Sequence, residues 1–236
     1  MLCRNLLSVC FPRFVGETPF KGYSLVEFHT KEIMNLMKSI SNEFLAASFK
    51  LRVMEAAAYT ALRRNDVLKA REIAFELIEE TDEDMFPIAI SSINNLLAES
   101  YVFDDSILAL RYNKKALKIF NQYLPENVHR KRILESTSDF IKIHSGNIQG
   151  LFLSDPAERI HWLSKSTQKV ENELALSLLD EIEKENGELS PFQKYYKGLA
   201  ANDPRVLEEA VDAFVLKGDL FYSQLPKLAV IRQNPY

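Results

Sequence analysis

The chain has 236 residues, 47% apolar and 26% charged, which is enough apolar material for a substantial core in one elongated domain. Its net charge of −4 argues against binding nucleic acid through the general surface field, and we find no apolar run of about 20 residues that would cross a membrane. Only 7 glycines and 9 prolines occur, and apolar and polar residues do not alternate in runs bounded by hairpin turns. The sequence therefore predicts an all-α fold.

Two cysteines, Cys3 and Cys10, lie near the N-terminus, in a first predicted helix that ends before Pro12. On one helix they would share a face about two turns apart, which is too far for a disulfide, and no histidine lies nearby to complete a metal site. We expect buried thiols of a reducing cytosol.

A helical hairpin is predicted between Glu55 and Glu80. Two amphipathic stretches are separated by a polar turn at Asn65-Asp66, and Ala70 and Ala74 allow the two helices to approach closely. This is the unit of a helical repeat protein.

The small residue of the second helix recurs along the chain, at Ala70, Ala109, Ala175 and Ala210, in steps of 39, 66 and 35 residues. The long step leaves room for one degenerate hairpin around Ser145-Gly146-Asn147. Spacings in the thirties are typical of tetratricopeptide-like repeats, although the full consensus is absent. We expect such hairpins to form a right-handed superhelix.

Capping signals predict the helix boundaries after Leu25. Helices are predicted to start at Thr81 to Asp84, Asp104-Asp105-Ser106, Asp155-Pro156 and Ser190-Pro191, and to end before Pro125 and at Asn186-Gly187.

Catalytic patterns are weak. The four histidines show no metal-binding spacing, and there is no glycine-rich phosphate loop. The basic cluster Arg130-Lys131-Arg132 is typical of a solvated helix start. The sequence predicts no catalytic residue, no metal and no cofactor.

The C-terminal third carries a family resemblance. Tyr195-Tyr196-Lys197-Gly198-Leu199 and the stretch from Ala210 to Leu228, which contains Leu225-Pro226-Lys227-Leu228, resemble the end of the arbitrium receptors, the AimR family of phage peptide sensors. The likeness runs from about Ser39 to Leu228. Further matches are Leu51-Arg52-Val53, Asn65-Asp66 with Arg71-Glu72, Asn94-Asn95-Leu96-Leu97 and Lys114-Lys115-Ala116-Leu117.

The resemblance implies a cytoplasmic receptor for a secreted peptide of about six residues, held in the concave groove of the superhelix. In that family the peptide controls a transcription regulator and the choice between lysis and lysogeny. One of Asn94 and Asn95 would bind the peptide, and Asp219 would pair with its amine or a basic side chain. Phe221 and Tyr222 would form apolar walls.

Departures from the family qualify these expectations. Residues 1–38 are predicted to be an N-terminal helical segment with a truncated first repeat, and residues 39–236 the peptide-binding repeat domain. No helix-turn-helix is found, so we expect no direct DNA binding. Tyr59 and Arg63 stand where family members can present asparagines. The family's dimerisation helix should extend beyond Leu228, but here the segment after Leu228 is short. A homodimer is possible, and we expect its contact to be lost or altered.

Two other classes of function remain open. One is a tetratricopeptide-type scaffold that binds a protein and no peptide pheromone. The other is a helical phosphatase or related enzyme, which ranks last because the sequence has no catalytic cluster.

Overall fold

The computed structural model describes residues 32–36 and 38–233, except for the side chain at 233, and this part of the chain is helical with no strand. The all-α prediction is confirmed for these residues. From residue 43 onward the helices are α1 (Glu43–Arg63), α2 (Val67–Glu80), α3 (Pro87–Ser100), α4 (Ser106–Tyr123), α5 (Val128–Ser145), α6 (Pro156–Ser164), α7 (Lys169–Asn186), α8 (Pro191–Ala201), α9 (Pro204–Leu216) and α10 (Gln224–Gln233).

The helices pack as hairpins in chain order. α1 packs on α2, α3 on α4, α6 on α7, and α8 on α9. Contacts also join α1 to α3, α3 to α5, and α6 to α8, so alternate helices form a layer of their own. This is the arrangement of a helical repeat, in which each unit buries its apolar face against its neighbours.

The recurring alanines occupy the predicted positions. They lie on α2, α4, α7 and α9, and each is 0% exposed; they are Ala70, Ala109, Ala175 and Ala210. A larger side chain at these positions would separate the paired helices, because protein interiors are close-packed.

At the predicted degenerate hairpin, α5 is followed by an irregular segment instead of a second paired helix. α5 ends at Ser145, and Gly146 caps it in the left-handed conformation with φ of 80°. Residues 147–155 then form no helix. Both carboxylate oxygens of Asp139 accept hydrogen bonds from this segment, from the backbone N–H of Phe152 (2.9 Å) and of Leu153 (2.6 Å). An irregular segment therefore replaces the second helix of this repeat.

Most predicted boundaries are confirmed. Asp105 and Asp155 cap the starts of α4 and α6, and Ser190 forms a capping box with Gln193 at the start of α8. Gly187 ends α7 with φ of 80°.

One predicted start is wrong. Thr81 is the C-cap of α2, and α3 begins only at Pro87. The intervening acidic residues form a turn, because the Asp82 carboxylate accepts hydrogen bonds from the backbone N–H of Asp84 and Met85. The predictions for Cys3, Cys10 and the helix before Pro12 lie outside the described residues.

The segment between α9 and α10 reaches back to the first hairpin. The carbonyl oxygen of Arg63, at the end of α1, accepts hydrogen bonds from the backbone N–H of Leu220 (2.7 Å) and Phe221 (3.2 Å). The Gln224 amide also donates to Asn65 Oδ1 at 2.8 Å. These contacts bring together residues that are far apart in the sequence.

No helix within residues 32–36 and 38–233 is both long and apolar enough to cross a bilayer.

Candidate functional site

Four side chains form a polar cluster where α1, α3 and the α9–α10 segment meet, and we call it the Arg63 network: Arg63, Glu99, Asp219 and Tyr222. The Arg63 guanidinium pairs with Glu99 Oε2 at 3.0 Å and with Asp219 Oδ2 at 3.3 Å. It also lies over the Tyr222 ring, 4.7 Å from the centroid. The Tyr222 hydroxyl donates to Glu99 Oε2 at 3.1 Å, which closes the cluster.

Charge and burial set the protonation of this network. Burial lowers the pKa of the Arg63 guanidinium, but the carboxylates of Glu99 and Asp219 outweigh that effect and raise it overall. Burial raises the pKa of the Asp219 carboxyl, and Arg63 counteracts this only in part. Burial, followed by the Glu99 charge, raises the pKa of Tyr222 well above its usual value, so the phenol stays neutral.

Asparagine amides extend the network towards α5. Asn95 Nδ2 donates to Glu99 Oε1 at 3.3 Å, and Asn95 Oδ1 accepts from Asn113 Nδ2 at 3.3 Å. Asn113 also donates to the carbonyl oxygen of Leu134 at 2.9 Å. A continuous polar path thus runs from Asp219 to α5 through the interior of the repeat.

The inward face of α1 joins this path. Tyr59 and Arg63 are four residues apart and therefore lie on one helix face. Burial raises the pKa of Tyr59, and the charges of Glu99 and Glu55 raise it further. The two positions noted as departures from the family pattern thus belong to the same polar region.

The position of Arg130 differs from the solvated basic cluster that the sequence predicted. Lys131 and Arg132 are exposed as expected, but Arg130 is half-buried on α5. Its guanidinium donates to the carbonyl oxygen of Ile88 at 3.1 Å and to Ser92 Oγ. The expectation of a fully solvated basic cluster was wrong because Arg130 satisfies polar groups of α3.

The five residues predicted to bind the peptide do not all lie together in the structure. Asn95, Asp219 and Tyr222 lie in one hydrogen-bonded cluster. Asn94 is 0% exposed and donates to the carbonyl oxygen of Ile90, one turn earlier in α3, at 2.8 Å. Phe221 is also 0% exposed, with its ring 4.9 Å from Phe103. Asn94 and Phe221 are therefore buried, and neither side chain takes part in the hydrogen bonds of the cluster.

Glu99 and Asn113 were missed as site residues. Glu99 follows Asn95 by one helical turn, and its helix buries 11 of its 14 residues, including Ser91, Ser92, Asn94 and Asn95. Polar residues on a helix that is buried nearly all round indicate an internal network, and the sequence sign of it is the set of polar residues within the otherwise apolar stretch Ile88 to Ala98. Asn113 lies between charged residues of α4 and gives no comparable signal.

The chemistry of the site follows from its side chains. It offers carboxylates, amides and a phenol, which bind cations and peptide groups. Within the part of the chain that the structure describes, no three His, Cys, Asp or Glu side chains are grouped to hold a metal ion.

The fold is that of a tetratricopeptide-like helical repeat protein with a polar interior path. The family model for AimR transcriptional regulator-like proteins matches residues 14–232, so the chain belongs to that family.

Two curated relatives are similar in sequence. An uncharacterized protein of Bacillus anthracis is 30% identical over 91% of this chain and 81% of its own length. The AimR transcriptional regulator of Bacillus phage phi3T is 27% identical over 81% of this chain, a match that spans 50% of the phage protein.

Solved structures agree on the fold. The structure of phAimR with ligand matches with a TM-score of 0.70 at 20% identity, over 99% of this chain and 72% of that one. The structure of selenomethionine phAimR matches with a TM-score of 0.65 at 21% identity, over 92% and 59%.

Proposed function

We propose that this chain is an intracellular receptor for a short communication peptide of the arbitrium type, and that peptide binding regulates a phage lysis–lysogeny decision. The observation that carries the proposal is the convergence of Asn95, Asp219 and Tyr222 on one cluster. Asn95 is far in the sequence from Asp219 and Tyr222, and the chain that brings them together belongs to the AimR-like family.

The Arg63 network carries a surplus negative charge. Two carboxylates, Glu99 and Asp219, share one guanidinium, and their side chains are 12% and 18% exposed. A cationic group of a peptide would be attracted to this pair, and the low exposure strengthens the attraction because water screens it little. We propose that the peptide's amine or basic side chain binds here, with Tyr222 as the adjoining wall.

Arg63 then acts as an internal competitor. Its guanidinium already occupies the position between the two carboxylates that a ligand cation would favour. In this proposal Arg63 limits the affinity for the peptide and, when no peptide is bound, offsets one of the two carboxylate charges.

Amide groups would bind the peptide backbone. Asn95 and Asn113 each carry donors and an acceptor, and together they already form a chain of amide hydrogen bonds. Both amides are buried, at 3% and 1% exposed, so the peptide groups would have to replace their present partners, which include the Glu99 carboxylate and the Leu134 carbonyl.

Calorimetric titration tests the proposal. The probe is the C-terminal hexapeptide encoded by a small secreted reading frame next to the gene. We expect a Kd in the micromolar range or tighter, and we expect Asp219→Asn to weaken it about thirtyfold, since a buried charged hydrogen bond contributes about 2 kcal/mol. Asp212→Asn, at an exposed position on α9, is the matched control and should bind like the wild type.

The absence of binding heat from a folded protein would contradict the proposal. The same outcome would favour the scaffold alternative, in which the fully paired Arg63 network is only a structural brace. A stoichiometric protein partner recovered with the chain would then be the expected finding.

A further inference from the structure

A cavity of about 120 Å³ lies where the ends of α5 and α6 meet α8 and α10. Its wall includes three basic side chains from three helices or their caps: His144, Lys165 and Arg232. Tyr195 and aliphatic side chains form the rest, and no acidic residue within residues 38–232 lines it. We call it the basic pocket.

Lys165 is fixed in position by the end of α5. Its ammonium group donates to the carbonyl oxygens of Ile143 at 2.7 Å and His144 at 3.0 Å. Those carbonyls lie at a helix C-terminus, where a cation is favoured. Among the described residues, Lys165 forms no ion pair with a carboxylate, so its charge is not neutralised there.

The His144 side chain also lines the basic pocket. Its Nδ1 atom is buried and makes no hydrogen bond within the described residues. Burial, and then the charges of Lys165 and Arg232, lower the pKa of His144 to about 4.

Every charged neighbour identified for the basic pocket is a cation. Burial lowers the pKa of Lys165 to about 8, and the remaining cause is the Arg232 guanidinium. Burial raises the pKa of Tyr195, and among the described residues the one charge that opposes this shift is again that of Arg232. Like charges held together in a partly buried site repel one another, and a bound anion would remove that repulsion.

We infer that the basic pocket binds a small oxyanion, a carboxylate or a phosphate, through Lys165, Arg232 and the His144 imidazole. The pocket supplies charge and N–H donors for such a group, and its small size selects a compact anion. Arginine and lysine together are the usual side chains for both anions.

The basic pocket is also linked to the Arg63 network by aromatic rings. The His144 ring lies 5.4 Å from Phe103, and Phe103 lies 4.9 Å from Phe221, the neighbour of Tyr222. One layer of rings therefore connects the two polar sites.

Thermal unfolding at pH 7 tests the inference, with potassium phosphate and potassium acetate compared against chloride at constant ionic strength. We expect the midpoint of the wild type to rise saturably in at least one oxyanion, because a ligand of the folded state stabilises it. The anion effective at the lower concentration identifies the class, carboxylate or phosphate. Arg232→Gln should raise the half-saturating concentration about tenfold or more.

Lys169→Met is the matched control, since this lysine is 88% exposed on α7 and should leave the anion response unchanged. Lys165→Met should also abolish the response, but it removes a helix-end contact, so Arg232→Gln is the deciding variant. NMR of His144 gives a second readout, because bound anion should raise its pKa from about 4 towards 6.5. A wild type that responds equally to chloride, or an Arg232→Gln variant that responds like the wild type, would overturn the inference.

Discussion

Replacing Glu158 by glutamine should change the pH dependence of stability in a defined way. Glu158 is 6% exposed on α6, and its Oε2 atom lies 3.1 Å from Nδ1 of His161, which is fully buried. Burial, and then the charges of Asp155 and Asp139, raises the pKa of Glu158 to about 8. Burial, and then the nearby basic groups, lowers the pKa of His161 well below its usual value. Near neutral pH both are uncharged, and the protonated carboxyl donates to the imidazole.

The magnitude follows from linkage. The folded state holds the Glu158 proton up to about pH 8, whereas the unfolded state loses it near pH 4.5. Between these values the folded state binds more protons, so the free energy of unfolding falls as the pH rises, by up to about 1.4 kcal/mol per pH unit. Glutamine mimics the protonated acid and does not titrate. Glu158→Gln should therefore equal the wild type near pH 4.5 and exceed its stability by up to about 4 kcal/mol at pH 8.

Urea unfolding at half-unit steps from pH 4.5 to 8.5 measures this difference. The histidines titrate in both proteins, so their contribution cancels to first order in the comparison. A difference between variant and wild type that stays constant across this range would refute the reasoning, because it would mean that Glu158 is ionised in the folded state.

Two further substitutions test the packing of the repeat. Gly198→Ala should destabilise the fold by about 1 to 3 kcal/mol, measured by urea unfolding. An added Cβ would lie 2.7 Å from Leu207 Cδ2 and 3.0 Å from the Leu207 backbone nitrogen. Unchanged stability would show that α8 and α9 separate freely. Ala109→Leu should lower the stability by a similar amount, because the larger side chain would overpack the α3–α4 contact. Ala47→Leu, at an exposed position of α1, is the control, and its stability should stay within about 0.5 kcal/mol of the wild type in thermal unfolding. Equal effects at the two alanines would contradict the repeat interpretation.

The repeat arrangement could be predicted because its signals are local. Alanine spacing, Asp and Ser caps and Gly187 each act within a few residues of the boundary they specify. The start of α3 could not be predicted from the acidic residues alone. A carboxylate before backbone N–H groups suits a turn as well as a helix, and Asp82 forms the turn.

The candidate site was only partly predictable for a different reason. The resemblance supplied Asn95, Asp219 and Tyr222, but their pairing with Arg63 depends on a contact across 156 residues of sequence. No local pattern encodes such a contact, because it arises from how the stacked repeats return the α9–α10 segment to α1. The same holds for the basic pocket, whose three basic side chains come from separate helix ends.

The hexapeptide affinities of Arg63→Met and Asp219→Asn, measured by calorimetry beside the wild type, test the central claim most directly. If the Glu99–Asp219 pair binds the ligand's cation and Arg63 competes for it, Arg63→Met should tighten binding about tenfold or more, and Asp219→Asn should weaken it. Equal affinities in all three folded proteins would contradict the account.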